Sequence, residues 1–296
     1  MRMTMKTKII VCCHKRCNLP QDETYIPIHV GKSLHPDIDL KIQVDNEGDN
    51  ISIKNESYCE LTGMYWAWKH ITDADVIGLC HYRRYFKFVS FPYFSRPTIS
   101  KSFSKLQMEC QAIPENVLNM ISKGGVVTAK AEKWSVPVYT NYCEWHFCDD
   151  MLTLYKIVKK TQPEKYVRAF KKVVFCSNEF APYNMFIMSR TEYDKYCSWL
   201  FLLLKQTEEE INISQYNSMQ RRLFGYLSER LLDVYIVANN LKRIAYPIVY
   251  FEENDNNISK WNGFYQNLRY HLLSAIRYVN FQIALKFGHL RSAKIE

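Results

Sequence analysis

An apolar run at residues 76–80 ends in the segment His81-Tyr82-Arg83-Arg84-Tyr85, which combines two arginines, a histidine and two tyrosines. The run has the length and composition of a buried strand. Guanidinium groups bind phosphate oxygens through paired hydrogen bonds and keep their charge at cellular pH. We therefore expect an anionic, phosphorylated ligand at this strand end, with one arginine on the ligand and the other bracing the loop. The alternative is that Arg83 and Arg84 form structural salt bridges with acidic residues.

The composition indicates a folded, basic protein. With 296 residues, of which 47% are hydrophobic, the chain can bury the core of one large α/β domain or of two smaller ones. The formal net charge of +9 favours an anionic partner, such as nucleic acid, a membrane surface or a phosphorylated small molecule. Because the cationic residues are scattered and form no arginine-rich arm, we expect no nucleic-acid partner.

The first residues lack the features of a signal peptide, and the longest apolar run, residues 199–204, is too short to cross a bilayer. The ten cysteines are irregularly spaced, which favours reduced thiols in a cytoplasmic protein. Cys12, Cys13, His14 and Cys17 lie close together, but no second Cys/His pair accompanies them at the spacing of a zinc site.

Strand and helix patterns alternate along the chain. The main predicted strands are at residues 8–13, 74–80, 125–131, 181–190 and 242–253. The main predicted helices are at residues 57–70, 113–124, 149–175 with a break at Pro163, 191–211, and 216–241 with a hinge at Gly225. This order predicts an α/β fold over residues 1–255, with a mainly parallel central sheet flanked by helices. Residues 256–296 are predicted to form a basic amphipathic helical tail, which either docks on the domain or lies on an anionic membrane surface.

Polar residues follow three of the predicted strands, at residues 14–16, at residues 81–84 and at Ser189-Arg190. In open α/β sheets, ligands bind beyond the carboxyl ends of the strands. We therefore expect these residues to border one pocket, where a nucleotide diphosphate suits the two arginines. His14 and its neighbours would hold the base and ribose.

A second group of polar residues precedes or begins the helix predicted at residues 57–70. Lys54 and Asn55 are candidates to contact phosphate or sugar hydroxyls. Glu60 is a further candidate, although Ser57 and Glu60 also have the spacing of a capping box, which would give Glu60 a purely structural task.

Glu229 lies within an apolar helical pattern. It is either solvated, paired with an arginine such as Arg222, or directed into a cleft, where burial would raise its pKa toward that of a general base. Asp149 and Asp150 are competing carboxylates, with the alternative that they stabilise the start of the helix that follows.

Asp73 and Asp75 have the spacing of the metal-binding Asp-x-Asp pair of many nucleotide-sugar enzymes, but they precede their strand instead of following it. We expect cationic groups at residues 81–83 to take the place of a divalent cation beside the diphosphate. No metal is then required, with Mg²⁺ or Mn²⁺ as the alternative and His81 as the lesser candidate ligand.

Four segments together resemble one known family. They are residues 50–70, 76–86, 184–190 and 224–232. In this order they are similar to bacterial capsular and exopolysaccharide glycosyltransferases of the domain of unknown function 4422 family. The resemblance implies a GT-A-like fold, a nucleotide-sugar donor and a lipid-linked glycan acceptor, with UDP-galactofuranose as a candidate donor. It does not cover the tail. The positions that fall in the shared motifs are Glu60, His81, Arg83, Arg84, Asn184 and Glu229.

The resulting hypothesis is a glycosyltransferase of capsule, exopolysaccharide or O-antigen synthesis, working at the inner face of the cell membrane, to which the tail would attach it. Glu229 would deprotonate the acceptor hydroxyl, and Arg83 with His81 would stabilise the departing diphosphate. The predicted substrate contacts are His14, Lys54, Asn55, Glu60, Tyr82, Arg84 and Asn184. Trp145 is among the aromatic residues that could stack on a sugar. The rival hypothesis is a non-catalytic protein that binds phosphorylated glycans or anionic membranes.

Overall fold

A computed structural model of the chain describes residues 5–20, 22–89, 92, 95, 97–100, 102–109, 113–251, 272–273, 275–277 and 279–283. The strands are β1 (Thr7–Cys13), β2 (Tyr25–His29), β3 (Gln43–Val44), β4 (Val76–His81), β5 (Arg84–Phe86), β6 (Thr98–Ser100), β7 (Gly125–Ala129), β8 (Glu132–Lys133), β9 (Glu179–Phe180), β10 (Phe186–Ser189), β11 (Lys242–Tyr246) and β12 (Ile248–Phe251). The helices are α1 (Asn55–Tyr58), α2 (Leu61–His70), α3 (Phe103–Glu109), α4 (Glu115–Ser122), α5 (Val138–Trp145), α6 (Cys148–Thr161), α7 (Glu164–Phe170), α8 (Arg190–Glu210) and α9 (Leu223–Ala238).

The central sheet has the strand order β11-β7-β10-β4-β1-β2-β3. β1 pairs in parallel with both β2 and β4, and β11 pairs in parallel with β7. Only β10 on this path runs antiparallel to its two neighbours, β4 and β7. The prediction of a mainly parallel sheet flanked by helices is therefore confirmed.

Alternation along β1 explains how the sheet forms two cores. Ile10 and Cys12 face one cluster, which also takes buried residues from α2, α6, α8 and α9. Ile9, Val11 and Cys13 face the other cluster, which is covered by α4 and by the strands β5 and β12. Because side chains of a strand alternate between its faces, a strand buried on both faces is a continuous apolar run.

The region predicted as one helix over residues 57–70 is two helices. Cys59 separates α1 from α2 and has a left-handed φ of 51°. Ser57 Oγ donates to the Lys54 carbonyl (3.2 Å), and the Glu60 side chain makes no capping bond. The capping-box interpretation is therefore wrong, which leaves the Glu60 carboxylate available for another contact.

Three further expectations are corrected. The hinge at Gly225 is absent, since α9 continues through it; an added Cβ there would come within 3.2 Å of Cys59 Sγ, so glycine permits a close approach of α9 to the junction of α1 and α2. The last predicted strand is two strands, β11 and β12, separated at Pro247. Cys143 and Cys148 form a disulfide, so the expectation of thiols throughout is wrong for this pair.

The predicted boundary between residues 255 and 256 lies outside the described residues, so the division into a domain and a tail stays a prediction. Within the tail, the described residues between 272 and 283 are helical. No helix among the described residues is both long enough and apolar enough to span a bilayer.

Candidate active site

The carboxyl ends of β1 and β4 meet at one edge of the sheet, where Cys12 pairs with His81. A cavity of about 960 Å³ opens at this edge. It is lined by the end of β1, the loop after β2, α1, the end of β4, the segment before α9, and β12. The lining residues are Cys12, His14, Val30, Leu34, His35, Ile38, Asn55, Glu56, Cys59, Glu60, His81, Tyr82, Arg83, Arg84, Ser218, Arg221, Arg222, Tyr250 and Phe251.

Four arginines line the cavity: Arg83, Arg84, Arg221 and Arg222. Arg221 pairs with Glu56 across the cavity wall (3.2 Å). The other three have no ion-pair partner among the residues that the structure describes. The salt-bridge alternative for Arg83 and Arg84 is therefore not what the structure shows, and the cavity carries an excess of positive charge that suits a polyanion.

Arg83 and Arg84 use aromatic rings as supports. Arg83 donates to Tyr82 Oη (2.5 Å) and lies over the same ring, with its guanidinium carbon 4.8 Å from the ring centroid. Arg84 lies 4.4 Å from the centroid of Tyr183. Its Nε is buried without a hydrogen-bond partner, although a buried donor normally has one. Arg84 also lines the cavity, so its guanidinium charge acts on an anion bound there.

Residues 183–184, directly before β10, connect the polar groups at this edge. Tyr183 and Asn184 both have left-handed backbones, with φ of 77° and 52°. His81 Nε2 donates to the Tyr183 carbonyl (2.5 Å), and Asn184 Nδ2 donates to Glu60 Oε1 (2.5 Å). The Tyr183 amide donates to Glu229 Oε1 (3.3 Å). Strained backbone conformations of this kind are concentrated at functional sites.

Two carboxylates, Glu60 and Glu229, thus contact consecutive residues: Glu60 accepts from the Asn184 side chain and Glu229 from the Tyr183 backbone amide. Glu60 lines the cavity. Glu229 lies behind it, 19% exposed, and accepts from Arg230 (2.8 Å) instead of the predicted Arg222. Burial raises the pKa of Glu229 to about 6, while the charge of Arg230 opposes the rise and that of Glu60 adds to it.

His81 and His14 lie at the cavity as predicted. Burial lowers the pKa of both imidazoles, which favours their neutral forms. A neutral His81 spends its one N–H on the Tyr183 carbonyl, so it has no donor left for a phosphate. His14 packs edge-on against Tyr82, with ring centroids 5.1 Å apart.

Three other residues that were predicted to contact the substrate bond to protein groups instead. Asn55 borders the cavity, but its amide nitrogen donates to the Cys59 carbonyl (2.7 Å) and so holds the turn before Glu60. Asn184 is buried, and its contact is with Glu60. Lys54 does not line the cavity and pairs with Glu208 (2.6 Å). Direct substrate contact by Lys54 and Asn184 stays a prediction that this geometry does not favour.

The remaining carboxylates lie away from the cavity lining. Asp73 pairs with Lys6, and Asp75 accepts from the Lys6 amide (2.8 Å), both at the entry to β4. Asp149 and Asp150 lie in the first turn of α6, and Asp150 accepts from Tyr216 (2.7 Å). In the described part of the chain, no three His, Cys, Asp or Glu residues cluster as a metal site.

The prediction that Ser189-Arg190 borders the pocket is wrong. Because β10 is antiparallel, Ser189 lies beside Val76 at the start of β4, on the opposite edge of the sheet. The residues missed by sequence reasoning are chiefly Arg221, Arg222 and Cys59. The signal was present in "MQRRLFGYLSER", where two arginines adjoin an apolar helix as Arg83 and Arg84 adjoin an apolar strand.

The family model of a domain of unknown function, DUF4422, matches residues 8–240. The chain belongs to this family. Among solved structures, the DUF4422 chain is similar to the apo structure of the WbbM bifunctional glycosyltransferase, with a TM-score of 0.76 and 26% sequence identity. The match covers 86% of this chain and 48% of that one, so the chain spans about half the length of that protein. No curated protein matches the sequence. The predicted family and the GT-A-like fold are confirmed.

Proposed function

We propose that the chain is a glycosyltransferase of surface polysaccharide synthesis, moving a hexosyl residue from a nucleotide-diphosphate sugar to a saccharide acceptor. The observation that carries this proposal is the cavity with four arginines at the carboxyl edge of a GT-A-like sheet. The likeness to WbbM, a bifunctional glycosyltransferase, supports the reaction class. The family resemblance suggests a lipid-linked glycan as the acceptor and UDP-galactofuranose as the candidate donor.

The cavity lining has an apolar part and a cationic part, which match the two parts of a nucleotide. The apolar part includes Val30, Leu34 and Ile38, and His14 from the end of the neighbouring strand also lines the cavity. A nucleobase and ribose fit there, as ligand sites combine apolar walls with a few polar groups. The arginines then face the diphosphate.

Leaving-group stabilisation falls to the arginines. Negative charge grows on the diphosphate as the anomeric bond breaks, so cations fixed beforehand at that position lower the barrier. Arg83, Arg84 and Arg222 have guanidinium charge without a carboxylate partner among the described residues, whereas His81 is neutral and engaged with Tyr183. We therefore assign this task to the arginines and leave His81 the task of holding Tyr183.

The cavity residues do not fit a resident divalent cation. Its two carboxylates are Glu56, which is paired with Arg221, and Glu60, which accepts from Asn184. Four arginines around them oppose a second source of positive charge. We propose turnover without Mg²⁺ or Mn²⁺, and undiminished activity in EDTA is the expected result.

Between the two carboxylates, Glu60 is better placed to meet a substrate because it lines the cavity. As general base it would take the proton of the acceptor hydroxyl while the acceptor oxygen attacks the anomeric carbon and the diphosphate departs. Glu229, the earlier candidate, would then act through the Tyr183 amide as a positioning residue. If Glu229→Gln instead abolishes turnover while Glu60→Gln leaves kcat near wild type, Glu229 is the base.

The first experiment is a thermal-shift series with UDP, GDP, CMP and their sugar conjugates, followed by a nucleotide-release assay. A ligand at a hundred times its Kd stabilises the folded state by about 2.7 kcal/mol, so a UDP species should raise Tm by several degrees. No shift with any of these nucleotides contradicts the proposal. A shift without turnover on any acceptor favours the non-catalytic binder.

The tail adds a proposed membrane contact. Leu272, Ile276, Val279 and Ile283 are exposed and recur at helical spacing, so they form one apolar face. In sequence, the segment from residue 260 to 295 carries Lys and Arg without a carboxylate. Apolar residues with basic neighbours bind anionic lipid surfaces. This arrangement supports attachment to the inner face of the cell membrane.

Vesicle sedimentation tests the tail. The chain should bind phosphatidylglycerol vesicles more strongly than phosphatidylcholine vesicles, and Ile276→Glu with Val279→Glu should abolish the difference. Leu202→Glu, at an exposed position of α8, is the matched control. Equal binding of the tail variant and the control contradicts the membrane contact.

A further inference from the structure

An exposed apolar patch of two aromatic residues and one methionine lies at the end of α5, just before α6 and in the segment before α9. Trp145 is 65% exposed, Phe147 is 50% exposed and Met219 is 55% exposed. These three residues are here called the aromatic rim. The loop is short and bracketed by the Cys143–Cys148 disulfide, so the rings are presented from a fixed piece of backbone.

The aromatic rim is joined to the wall of the cavity. Gln220 Nε2 donates to the Trp145 carbonyl (2.7 Å), and His146 Nδ1 donates to Gln220 Oε1 (3.2 Å). The residues on either side of Gln220 in the same segment, Ser218 and Arg221, line the cavity. The rim therefore continues the outer side of the wall whose inner side faces the arginines.

A second connection passes through α9. The ring of His146 stacks on Tyr226, with centroids 4.1 Å apart, and the Arg222 guanidinium lies 5.5 Å from the same ring. Arg222 lines the cavity. A ligand that extends from the cavity past Arg222 would reach His146 and the rings beside it.

The charge around the rim distinguishes its ligand. Glu144 and Asp149 flank the aromatic residues and are exposed. Carboxylates repel the phosphates of an anionic membrane but accept hydrogen bonds from sugar hydroxyls. The tail, by contrast, combines its apolar face with cations. The rim thus has the pairing of aromatic faces and hydrogen-bond acceptors that suits an uncharged pyranoside, whose C–H face stacks on a ring.

We propose that the aromatic rim is the acceptor subsite, which holds an uncharged hexopyranose unit of the growing glycan by stacking on Trp145 and Phe147. Glu144 and Asp149 accept hydrogen bonds from its hydroxyls. This inference rests on the proposed glycosyltransfer, because it places the acceptor beside the cavity that holds the donor. It adds a ligand class and a location that the cavity alone does not provide.

Saturation-transfer NMR tests the subsite, with methyl β-glucopyranoside and methyl β-galactopyranoside as probes in the presence of UDP. The wild-type chain should transfer saturation to the ring protons of at least one glycoside. Trp145→Ala and Phe147→Ala should each reduce the transfer about fivefold, the effect of losing one stacking contact, and Trp145→Tyr should restore most of it. Leu202→Ala, which removes an equally exposed apolar residue on α8, should have no effect.

UDP-induced thermal shifts, measured on the same chains, distinguish failure of the proposed acceptor subsite from failure of the proposed donor site. A normal UDP shift with no glycoside signal in the wild type, or with equal signals in wild type and Trp145→Ala, overturns the acceptor subsite alone. Loss of phosphatidylglycerol binding in Trp145→Ala with an unchanged glycoside signal overturns it in favour of a membrane contact. A missing UDP shift in every chain counts against the donor site instead.

Discussion

Two arginines that follow the ends of the neighbouring strands β4 and β10, Arg84 and Arg190, have opposite surroundings. Arg190, directly after β10, donates to Asp194 (2.8 Å), to the Trp68 carbonyl (3.0 Å) and to the Ile71 carbonyl. Arg84, directly after the turn that ends β4, has an ion-pair partner nowhere in the described part of the chain and a buried Nε without an acceptor. One guanidinium is satisfied by the protein, and the other is not.

The difference follows from strand direction and teaches how to tell a structural arginine from a ligand-binding one. β4 is parallel to β1, so its end lies at the edge with the cavity, whereas the end of antiparallel β10 lies at the opposite edge. A buried donor left without a partner costs about 1–3 kcal/mol. Arg84 bears this cost at the cavity edge, where the left-handed Cys59, Tyr183 and Asn184 also lie, so its position serves the cavity at the expense of stability.

The largest expected effect concerns the carboxylates at the two edges. Glu60→Gln keeps an oxygen to accept from Asn184 but cannot take a proton, so kcat should fall about 10²–10⁴-fold with UDP affinity retained. Asp194→Asn, the matched change in the partner of Arg190, should leave kcat within about twofold of wild type. Steady-state nucleotide release measures both. Equal losses in the two variants would show that the edges do not differ in function.

Arg84→Ala should have the next largest effect. Removing a fixed cation from the departing diphosphate should lower kcat about 10²–10³-fold. The stability of the variant should stay within about 1 kcal/mol of wild type, since loss of the unsatisfied buried donor offsets loss of the contact with the Tyr183 ring. Urea unfolding beside the release assay checks both expectations. Marked destabilisation with normal turnover would make Arg84 a structural residue like Arg190.

Arg190→Ala should show the reverse pattern. It breaks charge-assisted hydrogen bonds to Asp194 and to two carbonyls near the end of α2, so the free energy of unfolding should fall by about 2 kcal/mol. The kcat of the folded fraction should remain near wild type. A large loss of kcat at unchanged stability would contradict the assignment of Arg190 to the fold.

Sequence reasoning succeeded where local pattern determines position. The apolar run of β4 and the cations after it were enough to place Arg83 and Arg84 at the carboxyl edge, because residues that follow a parallel strand lie beyond its carboxyl end. It failed at Ser189-Arg190, since an apolar run does not reveal its direction. Asn184, which precedes β10, lies at the cavity edge for that same reason; it was among the predicted contacts because it falls in the family motif, not because local pattern placed it there.

Contacts between distant segments could not be predicted either. Arg221 and Arg222 reach the cavity because Gly225 lets α9 approach Cys59, a contact across more than a hundred residues of chain. Ser57 and Glu60 have the spacing of a capping box, but the helix is interrupted between them, so no capping box forms. Such outcomes depend on tertiary packing, which local spacing does not encode.

The smallest expected effect concerns two carboxylates of α9, Glu229 and Asp233. Burial raises the pKa of each to about 6. Since folding favours the protonated form of Glu229, its contribution to stability is complete below its ordinary pKa of 4.5 and is lost as pH rises through 6. Glu229 is partly exposed, so the loss between pH 4.5 and pH 7 should be about 1 kcal/mol. Urea unfolding should show this part of the pH dependence removed in Glu229→Gln.

Asp233→Asn is the matched control, because Asp233 accepts from Arg243 and from the Ala181 amide (3.0 Å) and does not line the cavity. It should change the pH dependence of stability in the same direction while leaving the pH profile of kcat unaltered. Only Glu229→Gln should alter the acid limb of that profile, since Tyr183, whose amide donates to Glu229, adjoins Asn184, whose side chain donates to Glu60. Identical kcat profiles for the two variants would show that the Tyr183 amide does not couple Glu229 to the cavity, and Glu229 would then belong with Asp233 and Arg190 among the residues that serve the fold.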